Sequence, residues 1–138
     1  MKARRGQILV FFALLLPFLV LILLGALEAA ADVLRVQETM AAADLAAHAG
    51  VQAAVVTVDG RPVPAGDAGA HRALQVFLMQ RPPHARLVEA RCGRSGVRIA
   101  CRVVAETETV GWLPFVGRRP IQVSAIAYLV PGATRGEQ

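Results

Sequence analysis

The chain is short of the residue patterns that most chemistry needs. Aromatics make up 5% of its 138 residues, and cysteine occurs only twice. No basic run is interleaved with aromatics, as a nucleic-acid groove requires, so nucleic acid is not an expected partner. His48, His71 and His84 stand at no metal-ligand spacing, and neither HExxH nor CxxC occurs. Ser95 and Ser124 lack a nucleophile context, and no phosphate-cradling glycine loop is present. Glu106 and Glu108 alternate along one face of a strand candidate and read as solvated. These absences predict a protein that is not an enzyme and holds no metal or cofactor.

Apolar sequence, by contrast, is abundant. Ile8 to Leu27 is a run of 20 residues without a charge. As a helix it is roughly 30 Å long, the thickness of a bilayer's hydrocarbon core. Residues 8–27 are therefore expected to cross a membrane. Residues 1–7 form a basic tail in which Lys2, Arg4 and Arg5 put the N-terminus in the cytoplasm and the remainder outside. Setting those three aside leaves 12 basic residues against 10 acids, a scattered excess within the net charge of +5. A cleaved secretion signal has a shorter apolar region of about 7–15 residues. Ala29 to Ala31 nevertheless offer the small residues a signal peptidase reads, so ordinary secretion is the competing reading.

Residues 28–56 carry no proline and one glycine, and they are rich in alanine, the best helix former. They are expected to extend the membrane helix without a break, to a total of about 45 residues at helical spacing. Val33, Val36, Met40, Ala43, Ala47 and Val51 recur every three or four residues and predict a narrow apolar stripe. Glu28, Asp32, Arg35 and Thr39 occupy another face. Pro17 lies inside the span, where a kink is expected.

From these residues a resemblance follows. "RRGQILVFFALLLPFLVLILLGALE" is similar to the N-terminus of TadE-like and TadG-like proteins, the pseudopilins of tight-adherence (Flp-type) pilus systems. The matching features are Arg4-Arg5-Gly6, Gln7, Phe12-Ala13-Leu14, Pro17, and Gly25 followed by Glu28. The match is specific over residues 4–30 and looser beyond. The resemblance implies cleavage by a prepilin peptidase between Gly6 and Gln7. One position departs from the pattern: Phe11 stands where many such proteins carry a glutamate that neutralises a neighbouring subunit's new amine in the membrane. Either Gly6 is left uncut, giving a TadG-like anchored protein, or the cut chain is a minor subunit and not a main fibre component.

Residues 57–138 read as a small α+β domain outside the membrane. "TVDGRPVPAGDAG" reads as turns and a linker. Asp67 is placed to cap a short helix that buries Leu74, Phe77 and Leu78 and ends at Pro82-Pro83. Three strand candidates follow, in "LVEARC", "VRIACRVVAETET" and "IQVSAIAYLV". Alternation turns Val88, Ala90 and Cys92 inward on the first, and Val97, Ile99, Cys101 and Val103 on the second. The expected fold is α+β and pilin-like: a long N-terminal transmembrane and amphipathic helix, a short second helix and a small three-stranded antiparallel sheet.

The compartment favours a disulfide between Cys92 and Cys101, but geometry leaves two cases. A tight hairpin at "GRSG" puts Cys92 opposite Val97, with Cys101 out of reach. A loop of about eight residues puts the cysteines opposite one another. Trp112, Leu113 and Phe115 also have two readings, as a surface that touches membrane or another subunit and as core folded under the sheet.

The expected function is that of a membrane-anchored, pseudopilin-like structural protein of a Flp/Tad-type pilus or related secretion assembly. It would sit in the bacterial inner membrane as a single-pass protein and work by packing. Its expected partners are the membrane, other pilus or pseudopilin subunits, the assembly platform and a prepilin peptidase. Close packing in lipid would use Gly25 and Ala26. The alternative is a secreted or anchored extracytoplasmic binding domain with a pilin-like leader.

Overall fold

A computed structural model describes residues 3–58, 61–80, 82–96, 98–111 and 117–129. One helix, α1 (Ala3–Ala53), dominates it and runs for 51 residues, about 77 Å at helical rise, through Pro17. Alanine and leucine favour this helix over most of its length. It stops where Val55, Val56, Thr57 and Val58 begin, because β-branched side chains crowd the preceding helical turn and fit a strand better. The last helical bond, from the Ala54 amide to the Gly50 carbonyl, is 2.9 Å.

The segment expected to be a linker is instead a hairpin. β1 (Val55–Val58) pairs antiparallel with β2 (Arg61–Pro64), Val58 opposite Arg61. Pro62 and Pro64 donate nothing to a ladder, which a two-stranded ribbon tolerates because both strands are edges. This is why proline-rich sequence here passes for a loop.

α2 (Ala68–Gln80) begins after Asp67, whose carbonyl accepts the first helical bond from His71 at 3.0 Å. Its buried line is Gly69, Ala73 and Phe77. Leu74 and Leu78, expected to be buried with Phe77, are exposed. The small residues are inside because α2 lies too close to α1 to admit leucine.

The sheet is a meander of three antiparallel strands, β3 (Ala85–Ser95), β4 (Arg98–Glu108) and β5 (Pro120–Leu129), in that order. The fold is therefore α+β, with α1 lying on β4 and β5 and α2 beside it toward β3. In β4, Ile99, Cys101, Val103, Ala105 and Thr107 face the helices, and in β5 Val123, Ala125 and Ala127 do. In β3 the expected alternation is broken by a bulge between Leu87 and Glu89. Ala85 and Leu87 pack on the core, and so do Ala90 and Cys92, while Val88, expected inward, is exposed. The extra residue shifts the side-chain phase by one position.

β3 and β4 meet in a tight hairpin, Ser95 opposite Arg98, and Cys92 and Cys101 still lie opposite each other and form a disulfide. The turn lies further along than the sequence suggests. Gly93 stays in the strand, and Gly96, at φ 62°, takes the left-handed conformation. Neither of the two expected cases, a short hairpin without the bond or a long loop with it, describes this arrangement.

Candidate functional site

Two features of α1 carry the functional content: an apolar half without a protein partner, and a polar row where the head begins. From Leu9 to Leu27, fourteen of the fifteen large apolar side chains are exposed, and Leu15 is half-buried. Burying each such side chain away from water is worth about 1.5–3 kcal/mol. Soluble monomers rarely leave contiguous apolar patches of more than a few hundred Å². The helix is long and apolar enough to cross a membrane, and its N-terminal half is built for an apolar surrounding.

Beyond Leu27 the helix turns one face to the sheet, and that face starts with polar residues. Glu28 and Thr39 are buried, and Asp32 and Arg35 are half-buried. Asp32 Oδ1 accepts the backbone N–H of Val110 at 2.6 Å. The Arg35 guanidinium donates to the carbonyl of Glu108 at 3.3 Å. The Thr39 hydroxyl donates back to the Arg35 carbonyl at 2.8 Å. Residues 28, 32, 35 and 39, expected on a face other than the apolar stripe, are thus buried or half-buried. Asp32 and Arg35 face inward because they meet the end of β4, where the strand's pairing stops and its backbone groups need partners.

The apolar stripe is correspondingly rotated. Ala43, Ala47 and Val51 are buried and Val36 packs against the core, but Val33 and Met40 are exposed. Buried Ala42, Ala46 and Gly50 take their side of the helix. Alanine at both edges of the stripe hides its centre from a reading based on large side chains. The polar spacing 28, 32, 35, 39 was the signal available, since it has the same helical period as a buried face.

At the far end of the head, α1, α2 and the disulfide converge on two glycines. A Cβ on Gly50 would lie 2.6 Å from Cys101 Sγ and 3.0 Å from the Gly69 carbonyl, and one on Gly69 would lie 2.7 Å from the Gly50 carbonyl. Cys101 is wholly buried and Cys92 half-buried. This contact, which only glycine permits, was not foreseen from the sequence.

The remaining expected site residues fall as follows. Gly6 and Gln7 lie in the first turns of α1, and Pro17 lies inside it. Gly25 has nothing within 4 Å of where a Cβ would be, and Ala26 is exposed, so neither packs within this chain. Trp112, Leu113 and Phe115 lie outside the described residues. Among the described residues, no group of three His, Cys, Asp or Glu side chains is placed to hold a metal ion. An open groove of about 530 Å³ runs between α1 and the end of α2, lined by Glu38, Leu45, Gln80 and Pro83 among others. No family model, curated protein or solved structure matches the chain.

Proposed function

We propose that this protein is a membrane-anchored, pseudopilin-like structural component of a tight-adherence-type pilus or a related secretion assembly, acting by subunit packing and not by catalysis. One observation carries the reading: a single helix is apolar and unpartnered from Leu9 to Leu27 and then becomes the spine of a folded head. A discarded leader has no need of that continuity, because cleavage near Ala31 would remove the turn that leads into Asp32. The resemblance of residues 4–30 to TadE-like and TadG-like proteins supports the same reading. Lys2, Arg4 and Arg5 favour a single pass with the N-terminus in the cytoplasm of a bacterium and the head outside its inner membrane. Gly25, with open space around it, and exposed Ala26 are suited to close approach by another subunit's helix.

The test is the intact mass of the protein extracted from native membranes. A full-length chain or one beginning at Gln7 is expected, the first an anchored assembly factor and the second a processed subunit. Loss of everything through about Ala31 overturns the proposal. It would leave a secreted domain, for which the groove beside Glu38 and Gln80 would be the natural place to look for a ligand.

A further inference from the structure

The head has no free stalk separating it from the apolar run. Glu28, the residue after Leu27, is already 5% exposed within the fold. Asp32 lies about 7.5 Å along the helix from Leu27, and it holds Val110, just beyond the end of β4. The strands run along the helix. From Asp32 to Gly50 α1 rises about 27 Å, and from Cys101 to Val110 the strand covers about 30 Å. One end of the sheet therefore sits at the disulfide and the other at the border of the apolar run.

That near end carries Arg118 and Arg119. The Arg119 N–H donates to Thr109 Oγ1 at 2.8 Å, and its carbonyl accepts the Thr109 N–H at 3.0 Å. Thr109 adjoins Val110, so Arg119 is fixed by two bonds of its backbone beside Asp32, and Arg118 precedes it in the chain. Both are exposed, and among the described residues neither guanidinium has an acidic partner. A bilayer's headgroup layer extends about 5–7 Å beyond its hydrocarbon core. Asp32 lies at the outer edge of that layer, which places the backbone of the arginine pair at that edge and brings the phosphates within reach of their long side chains.

We propose that Arg118 and Arg119 form a lipid-binding rim that holds the head against the anionic phospholipids of the outer leaflet. The proposal rests on the reading of residues 8–27 as a membrane span. Its chemistry is guanidinium binding to phosphate, which is bidentate and charge-assisted. Each basic residue near an anionic surface favours the seated head about fivefold, and the pair about 30-fold.

The full chain is to be placed in nanodiscs of phosphatidylcholine alone or mixed with phosphatidylglycerol. A nitroxide is carried at Gly117→Cys, or separately at Leu16→Cys, and collisional relaxation reads its depth. Gly117 is exposed and has open space around it. The label at 117 is expected at headgroup depth, shielded further from water when phosphatidylglycerol is present, and the double variant Arg118→Gln/Arg119→Gln is expected to remove that lipid dependence. The Thr109 bonds use the backbone of residue 119, so they survive the change. A label at 16 that reads as water-exposed overturns the span and this proposal together. A label at 16 deep in lipid, with 117 at the same depth in both lipids or in the double variant, leaves the span standing and overturns the rim.

Discussion

Asp32 and Val110 are 78 residues apart in sequence, yet the Asp32 carboxylate accepts the Val110 amide proton at 2.6 Å. Val110 is 4% exposed, so water cannot easily replace that acceptor. With the Arg35 bond to the Glu108 carbonyl, this contact ties the base of the head to the helix.

Asp32→Ala leaves a buried N–H unpaired and is expected to cost about 1–3 kcal/mol. Asp32→Asn keeps an oxygen acceptor and should recover a large part of the loss. Chemical denaturation of the full chain in detergent checks both. Equal destabilisation by the two variants would mean that the charge, and not the bond to Val110, is what matters.

Gly50→Ala and Gly25→Ala are expected to behave oppositely. At Gly50 the new methyl meets Cys101 Sγ and the Gly69 carbonyl, an overpacked contact costing about 1–3 kcal/mol. At Gly25 nothing is within 4 Å, so the fold's stability should not fall. If Gly25 serves packing between copies, Gly25→Leu lowers crosslinking between spans in native membranes while the thermal midpoint stays where it was.

Cys92 and Cys101 are nine positions apart, and closing a ring of that size stabilises by about 2–3 kcal/mol. Cys92→Ser/Cys101→Ser should lower stability by that amount without unmaking the three-stranded sheet. Circular dichroism together with a denaturation curve reads both quantities. Since only Cys92 is partly accessible, reduction of the native chain should begin at its sulfur. Trapping the first thiol released identifies which sulfur was attacked.

The bulge at Val88 makes a sharp distinction between neighbours. Val88 is 49% exposed whereas Leu87 packs against the core. Val88→Lys should change stability by no more than about 0.5 kcal/mol, and Leu87→Lys by several times as much, because it brings a charge to the core without a partner. Comparable losses from both would place Val88 inside and the bulge elsewhere.

The long helix, its apolar first half, the second helix and all three sheet strands were legible from composition and period, because each depends on neighbours close in sequence. A charge-free run of 20 residues has few other uses, and β-branched alternation near the C-terminus marks β5. The hairpin of β1 and β2 was not legible, since its prolines carry the signature of a loop. The phase of β3 was lost for a similar reason: one bulged residue moves Val88 outward without any mark in the alternation that precedes it.

By itself the sequence determined that a helix would leave an apolar surrounding and continue into an α+β head, because hydrophobicity and helical propensity are properties of contiguous residues. Only the tertiary structure decided which way that helix faces. Glu28, Asp32, Arg35 and Thr39 are polar, and the inward direction of Asp32 and Arg35 comes from backbone groups at the end of a strand more than 70 residues away. It likewise decided that Gly50 and Gly69 must be glycine. The cause is the distance between two helices and a disulfide, which no local pattern contains.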